Sequence, residues 1–145
     1  MLIDQVVTRI DDQVPAIKGR IHQAGDLASL VRKGTVPQVR PAGFVLPLGL
    51  LANAADVVSG AYRQGTIETV GVIFFVDDAG QATGRRAIPK VDEIQNDIVN
   101  AIAGWKPTGE NYGVFELSRG RLVAVNKGTV SYQLEFTISN QLRIL

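Results

Sequence analysis

The chemistry open to this chain is limited by how few reactive groups it carries. His22 is its only histidine, and it has no cysteine. A lone imidazole in a short strand-like stretch cannot build a metal site or a nucleophile–base relay without long-range help, so a structural role is expected. Lack of cysteine removes thiolate nucleophiles, thiolate zinc sites and disulfides, and fits a reducing compartment. Three carboxylate pairs, Asp11–Asp12, Asp77–Asp78 and Asp92–Glu93, have the residue types for general acid–base work. The first and third fall on polar faces of helical patterns and the second in a turn, so solvated carboxylates are expected. Gly80 and Gly84 precede a helix, where phosphate can bind. That segment lacks the lysine and hydroxyl of a P-loop and the dinucleotide spacing, and a strand-to-helix turn is the expectation. Arg85 and Arg86 open that helix at the end where cations oppose its dipole, which hints at a subunit contact beside plain solvation. Arg119, Arg121 and Lys127 gather around a late hairpin with Tyr112 and Phe115 nearby, as on a single-strand-binding platform. Glu116 and Glu135 interrupt that charge. No set of residues reads as an active site, and neither a cofactor nor a metal is expected.

The elements that position these groups follow from periodicity. Ile3, Val6, Ile10 and Val14 recur at three- and four-residue steps, an amphipathic helix that Pro15 stops. Residues 19–23 suit a short strand. Asp26 suits the N-cap of a short helix whose buried side is Leu27, Leu30 and Val31, with Lys33 and Gly34 as its C-terminal signals. Pro47 places its end of the first long strand at an edge or a bulge. From Thr66, residues Ile67, Thr69, Gly71, Ile73 and Phe75 share one face and Val70, Val72, Phe74 and Val76 the other. A strand apolar on both faces is central and covered twice. A second long helix is predicted over about 84–103, with Ile88, Val91, Ile94, Ile98 and Ile102 as its stripe and Gly104 at the C-cap. The last third is β, with strands over 114–125 and 129–138 joined by a turn at 126–128. In the last strand Val130, Tyr132, Leu134, Phe136 and Ile138 alternate with Ser131, Gln133, Glu135, Thr137 and Ser139, which predicts one buried and one wet face. The fold class is therefore α+β: one domain, 1–145, with a mixed, mostly antiparallel sheet, two main helices packed on it and a C-terminal β-hairpin.

Composition bounds the function further. Hydrophobic residues make up 46% and charged residues 20%, with a mean hydropathy of +0.12. That is globular and slightly apolar, from a full core or from surface meant for a partner. Fifteen Lys and Arg against 14 Asp and Glu give a net charge of +1 without a basic stripe, which gives no support to tight nucleic-acid binding. The N-terminus lacks the basic-then-apolar pattern of a signal peptide, and no apolar run nears the roughly 20 residues that span a bilayer, so folding in the cytoplasm is expected.

The stretch 42–76 is the most informative. Two apolar β-type segments flank a connection rich in Leu, Ala, Val, Ser and Gly, with no nucleophile and no base. Long irregular connections in small domains are usually functional or disordered. An assembly surface is the expectation, with Leu50, Leu51, Val57, Val58, Tyr62 and Arg63 as candidate interface residues and Arg85 and Arg86 as further candidates.

Several segments carry a resemblance: residues 14–20 (Val-Pro-Ala-Ile-Lys-Gly-Arg), 24–28 (Ala-Gly-Asp-Leu-Ala), 44–48 (Phe-Val-Leu-Pro-Leu), Tyr62-Arg-Gln64 with Glu68-Thr-Val70, Ala103-Gly-Trp105, and Gly120-Arg-Leu122 with Tyr132-Gln-Leu134. With the order of elements, these resemble the tail terminator proteins of long-tailed bacteriophages and prophages over nearly the whole chain. The resemblance implies a virion protein assembled in the host cytoplasm: a homo-oligomeric ring, usually a hexamer, at the head-proximal end of the tail tube. It implies that the ring stops tube polymerisation, contacts the tail tube protein and a head completion or connector protein, and lets double-stranded DNA through its lumen without specific binding. A head–tail connector of the same joining region shares this pattern, and a small nucleic-acid-binding module is the reading from a different class.

Overall fold

A computed structural model describes residues 2–58, 61–77, 87–109, 111–126 and 128–144. The expectations placed on Gly80, Gly84, Arg85, Arg86, Asp78 and Lys127 lie outside those residues. Within them the chain forms α1 (Leu2–Gln13), β1 (Ile21–Gln23), α2 (Ala24–Lys33), β2 (Ala42–Ala52), β3 (Asp56–Val58), β4 (Ala61–Asp77), α3 (Ile88–Ile102), β5 (Glu116–Asn126) and β6 (Thr129–Ile144). The strands make one mixed sheet in the order β1-β2-β4-β6-β5, with β3 also paired to β4. Only β1 and β2 run parallel, and α2 connects them. The remaining pairings are antiparallel. The fold class is the one read from the sequence.

β4 is the central strand, and its two faces meet different cover. Val70, Val72, Phe74 and Val76 join the large core with Val6 and Ile10 of α1 and Ile94 and Ile98 of α3. On the other face Ile73 and Phe75 pack with Phe44, Leu27 and Leu30 of α2, and Val36. Double cover explains why neither face of this stretch alternates with polar residues.

Five local expectations change. α3 begins at Ile88 with Ala87 as its cap, because Pro89 fits a first turn and would remove a hydrogen bond and clash in a helix begun near 84. Ile88 is consequently 57% exposed while Val91, Ile94, Ile98 and Ile102 are buried. Ala103 takes the C-cap, and Gly104 follows it in the left-handed region, φ 79°. α2 starts at Ala24 after a Gln23 cap that makes no side-chain bond, so Asp26 sits in the first turn instead of capping. Leu27 and Leu30 are half-buried, but Val31 is exposed, because α2 covers only the small cluster around Phe44. The expected wet face of β6 is wet only in part. Ser131 and Gln133 are buried opposite Phe75 and Ile73, on the face that α2 covers.

Candidate interaction surface

The expected irregular connection is largely strand. β2 continues through Leu50 and Leu51 to Ala52, β4 already starts at Ala61, and β3 folds back between them to pair Asp56 with Arg63, Val57 with Tyr62 and Val58 with Ala61. The reversal at Asn53 is tied down from both sides. Its N–H donates to the Gly65 carbonyl (2.9 Å), and the Gln64 amide donates to its carbonyl (2.6 Å). The ladder shifts register between Pro47 and Gly49, the bulge that Pro47 predicts.

Simple lengths explain why this part stands clear of the body. α1 and α3 have 12 and 15 residues, so they reach at most about 18 and 22 Å along the sheet at 1.5 Å per residue. β4 has 17 residues and runs about 56 Å at about 3.3 Å per residue. Helices this short cannot cover strands this long. The overhang is an arm built from the ends of β2, β4 and β6 with β3 at its edge, joined throughout by the β4–β6 ladder from Tyr62–Ile144 to Asp77–Thr129.

Residues directly opposite on antiparallel strands share a face, so the register sorts the arm. On the side of α1 and α3 lie the rows Val57–Tyr62–Ile144 and Leu50–Glu68–Ile138, with Leu142 beside Gln64. Leu50 and Val57 are 66% and 71% exposed, and Leu142 and Ile144 are exposed as well. The opposite side carries the rows Asp56–Arg63–Arg143 and Leu51–Ile67–Ser139. The exposed large apolar side chains Leu50, Val57, Leu142 and Ile144 thus share one face of the arm, with Gln64 and Glu68 among them, and the other face is mixed. Tyr62 is half-buried, and its hydroxyl donates to the Gln64 amide oxygen at 2.6 Å. The Arg143 guanidinium donates twice to the Gln141 amide oxygen, at 3.0 and 2.7 Å.

The structure therefore places Leu50, Val57 and Tyr62 on one face, with Val57 opposite Tyr62 and Leu50 farther along at Glu68, sends Leu51 and Arg63 to the other face, and holds Val58 in β3. Leu142 and Ile144 escaped the sequence reading, which ended the last strand at 138. The signal was present: the period-two pattern that places Phe136 and Ile138 on one face continues through Asn140, Leu142 and Ile144.

Several of the groups considered for chemistry have structural partners. Asp11 accepts from the Gly19 N–H at 2.6 Å, which fixes the turn before β1. Asp77 lies 3.8 Å from Arg40, and Glu93 lies 3.2 Å from Lys90 one turn away. Arg119 and Arg121 both approach Glu135, at 3.0 and 3.7 Å. His22 is exposed and tilts against Phe44, with ring centroids 5.5 Å apart, at the mouth of a groove of about 420 Å³ beside α2. Trp105 stacks on Phe115 at 5.7 Å, and the Arg9 guanidinium lies over its ring at 5.1 Å while Arg9 Nε donates to the Ala101 carbonyl at the end of α3. Burial, reinforced by the charge of Glu68, pushes the Tyr112 hydroxyl above its ordinary pKa. Among the described residues no three His, Asp or Glu side chains are grouped to hold a metal, and no helix is long and apolar enough to cross a membrane.

The sequence model of the phage tail terminator protein family matches residues 2–144. No curated protein matches the chain. Among solved structures, a chain from the virion of a native gene transfer agent particle has a similar fold, with a TM-score of 0.57 at 12% identity over 97% of this chain and 95% of that one. The chain belongs to the phage tail terminator family and is a structural protein of the phage tail and head–tail joining region, located in the virion.

Proposed function

From its membership of the tail terminator family, we propose that the chain is the subunit of a homo-oligomeric ring, a hexamer in the usual arrangement, at the head-proximal end of the tail tube. The ring ends tube polymerisation and presents the surface on which a head completion or connector protein docks. Its work is assembly, with no catalytic step, and the whole chain, 1–145, acts as one unit.

The observation that carries this reading is the arm. A helix-free projection with Leu50, Val57, Leu142 and Ile144 exposed on one face is an apolar patch of the kind that marks protein–protein contact. Its ladder keeps the patch ordered before a partner arrives, so less ordering entropy opposes association. The candidate interface residues Leu50, Leu51, Val57, Val58, Tyr62 and Arg63 lie on this arm, and Arg85 and Arg86 remain candidates for the same subunit contacts. The net charge of +1 suits a lumen that passes double-stranded DNA without retaining it, since retention grows with each phosphate that a cation neutralises.

Val57→Asp tests the proposal. The side chain is 71% exposed, so the monomer keeps its stability to within about 0.5 kcal/mol, as surface substitutions do. A carboxylate at a repeated subunit contact is felt at every interface of a ring. The expected result is a folded protein that forms no rings by electron microscopy and leaves tails of uncontrolled length in a complemented phage. Normal rings and normal tail lengths would reduce the arm to a linker.

A further inference from the structure

Two bulges meet at one row of the sheet. The row runs Pro47–Val70–Phe136–Leu117 across β2, β4, β6 and β5. On its arm side β2 carries Leu48 as an extra residue between Pro47 and Gly49. On its body side β5 carries Ser118 as an extra residue between Leu117 and Arg119, and the pairing of β5 ends at Glu116–Thr137, one pair beyond the row. The β4–β6 ladder passes the row without a break. An extra residue bends its strand and increases the local twist. The arm therefore leaves the body at a bend. A cleft of about 450 Å³, lined by Ile3 of α1 with Pro47, Leu48, Glu68 and Val70, opens at the same level, so α1 does not clamp that bend.

Leu48 closes the bend from one side. As the extra residue it falls out of the strand's alternation, and its side chain lies over Gly71 of β4. A Cβ on Gly71 would stand 2.7 Å from Leu48 Cδ1 and 3.1 Å from its Cγ. A turn about χ2 would move Cδ1 and leave Cγ where it is. Glycine inside a strand marks such a close approach. We propose that this row is a joint, and that Leu48 seated on Gly71 sets the angle at which the arm leaves the body. The joint itself is independent of the ring reading. Its consequence rests on that reading, because a heterologous contact repeated from subunit to subunit closes a ring only at the right rotation. The size of the effect follows from lengths. Restoring ordinary contact takes Cδ1 from 2.7 Å to about 3.7 Å, about 1 Å of travel. Delivered about 4.8 Å from the axis of β4, that travel is a rotation of about 10°. From Gly71 to Tyr62 the arm is about 30 Å long, so its tip moves by about 5 Å.

Distances between arm and body test the joint. The chain has no cysteine, so Asp56→Cys on β3 and Asp92→Cys on α3, both exposed, are the only sites that take a spin label. Electron–electron resonance is read at concentrations where sedimentation velocity shows monomer. Gly71→Ala, with its fold checked by circular dichroism, shifts the mean distance by about 3–6 Å, and adding Leu48→Ala brings it back. Leu48→Ala alone removes the stop and widens the distribution, a readout that stands even where Gly71→Ala does not fold. An unchanged distance in Gly71→Ala means that Leu48 swings into solvent, and overturns the joint. A shift that survives Leu48→Ala overturns it too, as does a distribution that Leu48→Ala leaves as it was. By electron microscopy Gly71→Ala gives open or differently sized assemblies where Val57→Asp gives none. Wild-type rings beside a shifted distance overturn the consequence for closure. A wild-type chain that never assembles, alone or with tube protein, overturns the ring reading, and the distances still judge the joint.

Discussion

Two isoleucines of one helical stripe should behave as different residues. By spacing, Ile88 and Ile98 are equivalent members of the apolar face of α3, yet Ile98 is fully buried and Ile88 is 57% exposed. Ile98→Ala removes three carbons from a site with no access to water. At about 0.8 kcal/mol per buried methylene-sized group the transfer term is roughly 2.5 kcal/mol. Incomplete collapse around the vacancy raises the loss to about 3–4 kcal/mol. Ile88→Ala removes the same atoms from a side chain more than half in solvent, at the first helical position beside Pro89, and costs under about 1 kcal/mol. Urea unfolding followed by circular dichroism reads the difference. With a slope of about 2 kcal/mol per molar urea, Ile98→Ala lowers the midpoint by roughly 1.5–2 M and Ile88→Ala by under about 0.5 M, at unchanged slope. Equal midpoints for the two variants would refute the helix boundary and the burial pattern derived from it.

Arg9→Ala removes a donor to the Ala101 carbonyl and a cation over Trp105, a loss of about 1.5–3 kcal/mol. Arg9→Lys should recover less than half of it, since a lysine ammonium does not reproduce a planar guanidinium that donates and stacks at once; thermal melting measures both. Tyr112 bears on alkaline stability. Its folded pKa lies above the ordinary value of 10.0 through burial first and Glu68 second, so the neutral phenol is favoured by the fold. Its contribution is complete below pH 10.0 and is lost as pH rises above that. Tyr112→Phe should flatten the fall in stability above that pH and leave the neutral range unchanged; the same fall in both proteins would exonerate Tyr112.

Periodicity was legible where one element met one environment. The steps of α1 gave Val6, Ile10 and Val14 as core residues, and the doubly apolar run of β4 gave a strand covered from both sides. It was less legible where a single residue resets the count. Pro89 moves the start of α3 and turns Ile88 out to solvent. In β5 the two bulges carry Leu117, Leu122 and Val125 to one face, although strict alternation separates Leu117 and Val125 from Leu122. A bulge has no strong sequence mark when no glycine or proline sits in it, and Ser118 and Val123 offer none.

The candidate site was legible as a region and opaque as a shape, for a physical reason. A leucine reads the same in sequence whether a helix covers it or not, so apolar pattern alone cannot tell core from interface. What separates them is reach. Leu50, Val57 and Ile144 continue the face on which Val70 and Phe136 lie buried, and only the short span of the helices leaves them in water. The mismatch is one of length, because about 56 Å of strand cannot be roofed by about 22 Å of helix. The apolar surface left over has to be hidden by something other than this chain's own helices. That requirement makes the arm a question about neighbouring subunits.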